Sequence, residues 1–488
     1  LKQMQISRFT VDLPGAFSMK GGGILENLAD SLTRSGTIGL DMITQNLNFL
    51  TALTGEAPNG TIVIPDSMNL KARVELKGPE YKANLHLKQG QGSMGVNAEL
   101  NTSTKAYAAD LKIDNLQLHN FLPKDSIYEL SLSADAKGRG LDVMSYRALA
   151  KLNLSLDQLH YARYQLSNVH LTGALKGALV TANLTSDNAL LKMTTDAEYN
   201  LAHRYPDGKV TVDVTQLDLH ELGLMPQPMK RPLAFNLSAE ARQNRVFTHL
   251  TSGDMKLNLS ARSGVNPLIS QSTHFMDVLM KQIDEKALNH AELREALPTA
   301  ILSFSAGKEN PLAYFLATKN ISYHDVSMKF GTAPDWGING KAAVHALKMD
   351  TLQLDTIFFT VKQDTTLMKL RAGVINGPKN PQFSFATTLT GEIRDRDAEL
   401  LVDYKNGKGE TGVLLGVNAR PLFEGHGKGN GIAFTLIPEN PIVAFQRFHF
   451  NENHNWIYLH KNMRVYANVD MWDEEGMGFR VHSVPGDT

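Results

Sequence analysis

The sequence contains no cysteine among its 488 residues. Disulfides, thiolate nucleophiles and cysteine-ligated metal sites are therefore all excluded. A chain without thiols suits the bacterial envelope, where oxidising conditions would cross-link free cysteines. The absence thus removes several classes of enzyme and favours, without proving, an envelope protein.

The chain also lacks a surplus of charge of either sign. It has 49 basic and 50 acidic residues, which gives a formal net charge of -1. Nucleic-acid binding needs a clustered basic surplus, and so does general attachment to anionic lipid surfaces. We therefore expect no nucleic-acid partner. Uncharged lipid tails make no such demand, so the binding of acyl chains stays open.

Long apolar runs are missing as well. No stretch approaches the roughly 18 apolar residues that a membrane-spanning helix needs, and no signal-peptide pattern follows Leu1. Strand-like sequence nevertheless extends over residues 5–13 and 479–484, close to both ends. We therefore expect the chain to be a fragment of a longer protein that carries any anchor or signal elsewhere.

What the sequence does contain is alternation of apolar and polar residues. Residues 70–76 read LKARVEL, residues 130–136 read LSLSADA and residues 255–261 read MKLNLSA. Successive side chains of a strand point to opposite faces, so each segment has one apolar and one polar face. This pattern predicts half-buried antiparallel strands, because parallel strands buried on both faces would be continuously apolar.

A weak internal repeat accompanies the alternation. Residues 111–122 (LKIDNLQLHNFL) resemble residues 212–223 (VDVTQLDLHELG), and LSADAK at 132–137 resembles LSAEAR at 237–242. Residues 347–357 form a third, fainter copy. Repeats that cannot bury an apolar face alone are expected to stack, although chance similarity between leucine-rich strands would look the same.

Three stretches show helical spacing of their apolar residues. They are residues 24–34, 38–53 and 275–297, the last with Ser272 as a candidate N-cap and Pro298 as its stop. Such amphipathic helices would either pack onto the sheet or act as a lid or plug on a groove.

These signals predict a mostly-β fold of antiparallel strands with a few short amphipathic helices, in which a sheet folded along its length would form an elongated repeating β-groove. We place a strand with amphipathic helices at residues 1–58 and β-groove repeats at 59–265. A helical insertion at 266–300 and further β-groove repeats at 301–488 complete the chain. Few helices are available to cover the apolar faces, so a sandwich, a closed barrel or a lengthwise-folded sheet must bury them.

Two glycine-rich motifs are only weak evidence for a nucleotide or anion site. Residues 90–95 match G-x-G-x-x-G, but a strand-like run follows where a dinucleotide site needs a helix, so a turn is expected. Residues 425–431 read GHGKGNG, which suits a hairpin loop better than an anion site.

Two clusters of titratable residues are also only weak evidence for a metal site or a catalytic site. His449, Glu452 and His454 could in principle hold a metal, but exposed histidines explain them better. The run RDRDAE at residues 394–399 resembles a solvated turn more than a pair of catalytic carboxylates. We therefore expect no catalytic residue, no cofactor, no metal and no enzymatic activity.

An apolar groove has an obvious use. Burying a methylene is worth about 0.8 kcal/mol, so two acyl chains of about 16 carbons resist exposure to water by about 25 kcal/mol. A continuous apolar groove would remove most of that barrier to lipid movement. The candidate groove-lining residues are Leu70, Val74, Leu76, Leu85, Leu87, Leu111, Ile113, Leu130, Leu132, Leu152, Leu154, Val210, Val212, Phe235, Leu237, Leu257 and Leu259.

Residues 119–142 (HNFLPKDSIYELSLSADAKGRGLD) and 456–483 (WIYLHKNMRVYANVDMWDEEGMGFRVHS) resemble TamB-type proteins of the AsmA-like family, in the form found in Bacteroidota. The similarity, which is one of strand composition and strand spacing, extends over residues 60–260 and 340–488. It implies an elongated antiparallel repeating β-groove (a β-taco) in the periplasm. Such a groove would move phospholipid between the inner and outer membranes of a Gram-negative cell and support outer-membrane biogenesis. It also implies a partner barrel of the Omp85 class, similar to TamA, and an inner-membrane anchor outside this sequence.

Rival readings belong to other classes. A structural or adhesive β-repeat protein of the cell surface would show the same strands around a sealed core. An outer-membrane barrel would need aromatic girdles, whereas aromatic residues make up only 7% of the chain. A carbohydrate-active β-helix would show clustered carboxylates and aromatic platforms, and neither is evident.

Overall fold

A computed structural model describes residues 3–46, 65, 67–225, 228, 232–285, 287–422, 431–460 and 464–483. The fold is 65% strand and 8% helix, with antiparallel strand pairing and an open sheet. The prediction of a mostly-β antiparallel groove with few helices is confirmed. The chain forms two compact units, residues 1–237 and residues 238–488.

The described residues of the first unit are mostly in strands, and the fifteenth strand contains the boundary between the units. They are β1 (Gln3–Leu13), β2 (Phe17–Glu26), β3 (Ser35–Thr44), β4 (Met68–Lys77), β5 (Glu80–Gln89), β6 (Gly92–Asn101), β7 (Ala106–Gln117), β8 (Ile127–Arg139), β9 (Leu149–Tyr161), β10 (Tyr164–Leu166), β11 (Val169–Lys176), β12 (Leu179–Asp187), β13 (Leu191–Asn200), β14 (Gly208–Leu217) and β15 (Leu233–Arg242). A single 3-10 turn, Leu118–Asn120, follows β7.

The second unit combines strands with three α-helices among its described residues. The strands are β16 (Arg245–Ser252), β17 (Met255–Ala261), β18 (Ala300–Ala306), β19 (Ile321–Ser322), β20 (Asp325–Ala333), β21 (Gly337–Met349), β22 (Leu352–Gln363), β23 (Met368–Asn376), β24 (Phe385–Ile393), β25 (Ala398–Asn406), β26 (Thr411–Leu422), β27 (Gly431–Val443), β28 (Gln446–His460), β29 (Val465–Asp473) and β30 (Gly478–His482). The helices are α1 (Val265–Glu285), α2 (His290–Glu295) and α3 (Pro311–Ala317).

Each unit is a meander, in which a strand pairs with its neighbour along the chain. In the first unit β1 to β9 pair in sequence, β10 turns back along the end of β9, and β11 pairs with both β9 and β12 before β13 and β14 follow. In the second unit β16, β17, β18 and β20 are neighbours, and β21 to β30 continue in sequence.

Tight turns explain the meander. Gly78 joins β4 to β5 with φ +55°, and Gly90 joins β5 to β6 with φ +59°. Such a left-handed backbone favours glycine, which has no Cβ to clash with the chain. The G-x-G-x-x-G motif at residues 90–95 is therefore the β5–β6 hairpin, as the sequence predicts.

The helices predicted at residues 24–34 and 38–53 are wrong. The chain instead forms β2, which ends at Glu26, and β3, whose residues pair with β2 along its whole length. Helical spacing in a short glycine-containing stretch is weak evidence, and two adjacent partner strands provide hydrogen bonds that a helix there would lose. Residues 47–53 lie outside the described residues.

The helical insertion is present but begins earlier than its apolar stripe suggests. Helix α1 starts at Val265, and a break after Glu285 separates it from α2. Ser272 is not an N-cap, because its hydroxyl donates to the Leu268 carbonyl within α1 at 2.8 Å. The cap that forms is at α2, where the Asn289 side chain accepts from the Glu292 amide.

Helices α1 and α2 pack on each other and are tied to strand ends of the second unit. Val278 meets Leu293 and Ala296 in a small core. Buried His290 places Nε2 at 3.0 Å from the Ile393 carbonyl and Nδ1 at 3.2 Å from the Gln363 amide nitrogen. A carbonyl only accepts, so Nε2 carries the proton and Nδ1 accepts from Gln363.

The first two copies of the weak repeat occupy similar elements. Residues 111–122 cover the end of β7 and the break before β8, and residues 212–223 cover the end of β14 and the break before β15. Residues 347–357, the third and fainter copy, occupy a different position, because they form the tight β21–β22 hairpin.

Candidate functional site

The strand register of the first unit aligns apolar residues into rows that cross the sheet. One row is built from direct cross-strand partners on β4 to β11. It consists of Leu70, Leu87, Met94, Ile113, Leu132, Leu156 and Val169. The next row, two residues along each strand, consists of Ala72, Leu85, Val96, Leu111, Ala134, Leu154, Leu171 and Leu184.

Two further rows lie on the same side of the sheet. The third consists of Val74, Ala83, Ala98, Ala109, Ala136 and Leu152, and the fourth of Leu76, Tyr81, Leu100 and Tyr107. At the β13–β14 pair, Val212 lies opposite Thr195 and Val210 opposite Ala197. Because side chains two residues apart share a face, these rows form one surface, which we call the apolar face of the first unit.

This apolar face is neither sealed nor fully exposed. Of the seventeen residues predicted to line a groove, Leu87 and Ile113 are buried, whereas Val74 is 45% exposed and Leu152 37% exposed. The other thirteen are half-buried. Side chains interlocked between two solid layers would be almost fully buried, so the face retains surface that an apolar molecule can cover.

The total surface agrees with a thin core. The chain exposes 29516 Å². Two compact globules that shared its 53.8 kDa equally would together expose about 22,000 Å². The larger value is consistent with sheet faces that a second layer does not fully cover.

The opposite face of the first unit is polar and hydrogen-bonded across its strands. Asn84 donates to Asn97 at 2.7 Å, and Asn183 donates to Asp196 at 2.8 Å. Lys82 and Glu99 form an exposed ion pair at 2.7 Å. The sheet therefore has one face that suits water and one that suits hydrocarbon, as the alternation predicts.

The strands of the second unit repeat the arrangement. A row of cross-strand partners runs from β17 to β26. It consists of Leu257, Phe304, Met328, Ala342, Phe359, Ala372, Leu389, Val402 and Leu415. The predicted residue Leu259 belongs to the neighbouring row, opposite Leu302.

The remaining predicted residues lie in the first unit. Phe235 and Leu237 are half-buried on β15, and Leu130 pairs with Leu116 and Leu159 near the beginning of β8.

A separate polar cluster lies at the last three strands. Buried Asp470 on β29 accepts from His454 on β28 at 2.8 Å, from Arg480 on β30 at 2.5 Å and from His482 on β30 at 3.1 Å. The hydrogen bond from His454 lowers the pKa of the Asp470 carboxyl to about 2, with Arg480 and His482 adding to the effect against the opposing effect of burial. The cluster thus fixes a carboxylate between two imidazoles.

Sequence reasoning missed this cluster. The sequence pattern groups His449 with Glu452 and His454, whereas in the structure His449 bonds Asn440 at 2.5 Å on the neighbouring strand and His454 bonds Asp470. Asp470 and His482 were overlooked because they lie 16 and 28 residues from His454 in sequence. The turn at residues 474–477 is the signal that would have placed β29 and β30 side by side.

Within the described residues, the remaining sequence motifs do not form a binding or catalytic site. Arg394, at the start of the 394–399 run, pairs with Glu392 and with Asp397 at the β24–β25 turn, which agrees with a solvated turn. The 425–431 loop lies outside the described residues except for Gly431, which begins β27. Among the described helices, none combines the length and hydropathy that crossing a membrane requires. No protein-family model, no curated protein and no solved structure matches the chain.

Proposed function

We propose that the chain is a segment of a lipid conduit whose apolar faces hold the acyl chains of phospholipids. The observation that carries the proposal is the apolar face of the first unit: rows of leucine, valine and alanine in cross-strand register, most of which are only half-buried. A non-catalytic role fits the sequence, which offers no catalytic constellation.

The energetics favour an apolar occupant. Apolar surface removed from water contributes about 25 cal/mol per Å², so covering the exposed part of half-buried leucines such as Leu85, Leu111 and Leu154 would be favourable. An acyl chain laid along their row would cover part of that surface. Because the register continues the row from strand to strand, an occupant could move between neighbouring strands without leaving apolar surroundings.

The cellular setting is proposed from the resemblance to TamB and AsmA-like proteins. Such a segment would lie in the periplasm of a Gram-negative cell, pass phospholipid between the inner and outer membranes and support outer-membrane biogenesis. Its partners would be an Omp85-type barrel similar to TamA and an inner-membrane anchor. The net charge of -1, close to zero, agrees with a segment that contacts lipid tails rather than anionic headgroups.

Site-specific photo-cross-linking tests the proposal. A photoreactive residue at Leu154 faces the apolar side, whereas one at Asn153 faces the polar side of the same strand and bonds Asp135. We expect Leu154 to capture phospholipid in a Gram-negative host and Asn153 to capture little. Equal yields at both positions would contradict the conduit.

Native mass spectrometry of the purified chain provides a second measurement. A conduit should retain phospholipid after purification without detergent. A chain that carries no lipid under these conditions, and that Leu154 fails to cross-link, would instead fit the structural or adhesive alternative.

A further inference from the structure

Three potential metal ligands from three neighbouring strands of the second unit converge on one point. They are His454 on β28, Asp470 on β29 and His482 on β30, and their ligand atoms all lie within 4.8 Å of one another. His454 Nδ1 is 2.8 Å from Asp470 Oδ2, and His482 Nε2 is 3.1 Å from Asp470 Oδ1.

These separations are close to those around a bound ion. Imidazole nitrogens and carboxylate oxygens bind Zn²⁺ at about 2.0–2.2 Å, which places neighbouring donors about 3.0–3.6 Å apart. The 2.8 Å distance from His454 runs to Oδ2 and the 3.1 Å distance from His482 runs to Oδ1, so an ion held by all three residues would bind both oxygens or require one imidazole to turn towards Oδ2. Two imidazoles with one carboxylate are ligands that suit zinc, nickel, copper and iron better than calcium or magnesium.

Burial differs among the three ligands in a way that suits an open site. The Asp470 side chain is only 3% exposed, whereas those of His454 and His482 are 39% and 38% exposed. The carboxylate is thus held in place, and the two imidazoles reach solvent. An ion could enter from the solvent side and complete its coordination with water.

Arg480 is the competing cation, and its position does not block the site. Its Nε lies 2.5 Å from Asp470 Oδ1, on the same oxygen as His482. Oδ2 contacts His454. The Arg480 side chain is 73% exposed, so it can move into solvent or stay on Oδ1 while Oδ2 binds the ion.

We propose that His454, Asp470 and His482 form a binding site for a divalent first-row transition metal of the zinc class. The geometry that supports it is the convergence of two imidazoles on a buried carboxylate across β28, β29 and β30. Bound metal would fasten β30, whose described pairing is with β29, to β28 as well. The site is independent of the proposed lipid surface.

Calorimetric titration of the chelator-treated full chain with Zn²⁺ alone tests the proposal. We expect one saturable site per chain, with affinity reduced about 100-fold or more in His482→Gln and His454→Gln. The matched control is His449→Gln, which lies on the same strand but bonds Asn440 outside the cluster. It should bind Zn²⁺ like the unchanged chain.

Thermal unfolding adds a readout that does not depend on calorimetry. Saturating Zn²⁺ should raise the Tm of the unchanged chain and of His449→Gln, because a ligand that binds only the folded state stabilises it. Because the His482 side chain is exposed, His482→Gln is expected to fold. The Tm of this variant should not respond to Zn²⁺. Absence of a stoichiometric site in the unchanged chain, or undiminished binding in both His454→Gln and His482→Gln, would overturn the proposal.

Discussion

The ring of Phe330 lies over the backbone of Gly340, its direct cross-strand partner on β21. A Cβ added at Gly340 would lie 2.1 Å from Phe330 Cδ1. Neighbouring Phe359 lies 6.3 Å from Phe330 between ring centroids, in a stacked arrangement. The glycine therefore leaves the space in which an aromatic ring covers the sheet, a pairing that helps to fix strand register.

We predict that Gly340→Ala destabilises the second unit by about 1–3 kcal/mol, because the ring must leave its position. All three tryptophans lie in residues 238–488, so the urea midpoint followed by tryptophan fluorescence reports on this unit. Gly377→Ala is the control, since its added Cβ would meet its nearest atom at 3.6 Å. Equal midpoints for the two variants would contradict the packing argument.

A second prediction concerns the apolar face. Leu132→Asp should reduce co-purifying phospholipid at least about tenfold, because a carboxylate would be placed beside Ile113 and Leu156 in the row that acyl chains are proposed to contact. Native mass spectrometry measures the bound lipid, and circular dichroism checks that the strands persist. Ser133→Asp, on the opposite face of β8, should retain lipid, and a loss as large as that of Leu132→Asp would speak against the groove.

A third prediction concerns the anchor of the helical insertion. His290→Ala removes both hydrogen bonds of a buried imidazole and leaves the Ile393 carbonyl and the Gln363 amide without it. We expect a loss of about 1–3 kcal/mol and faster hydrogen exchange across α1 and α2. His274→Ala, at an exposed position of α1, should leave exchange unchanged. Unaltered exchange in His290→Ala would show that other contacts hold the helices.

Alternation in the sequence predicts the strands and the side of the sheet on which each residue lies. The assignment of Leu132 and Ser133 to opposite faces needs only the two-residue period. Predicting which residues share a row requires the strand register as well, because sliding a strand by two residues keeps every side chain on the same face and changes every partner. The pairing of Leu132 with Ile113 is therefore a structural result, although both residues are predicted as apolar-face members.

The errors have a related cause. Leu25, Leu28 and Leu32 show helical spacing, but Leu25 pairs with Gly36 across β2 and β3, and the local pattern contains no information about that partner. The His454–Asp470–His482 cluster escaped for the same reason. Its members come together only once β28, β29 and β30 are placed side by side, and no short motif links them.

The last prediction follows from the lowered pKa of Asp470. Hydrogen bonds from His454, Arg480 and His482 lower this pKa from 3.8 to about 2 in the folded chain. The charged carboxylate therefore contributes stability that is present above about pH 4 and is lost as the pH falls towards 2. With chelator present, the urea midpoints of the unchanged chain and of Asp470→Asn, followed by tryptophan fluorescence, should differ by a constant amount from about pH 6 to pH 4. That difference should then shrink as the pH approaches 2. A difference that persists at pH 2, or one that disappears well above pH 4, would mean that these three donors do not hold the carboxylate in its charged form.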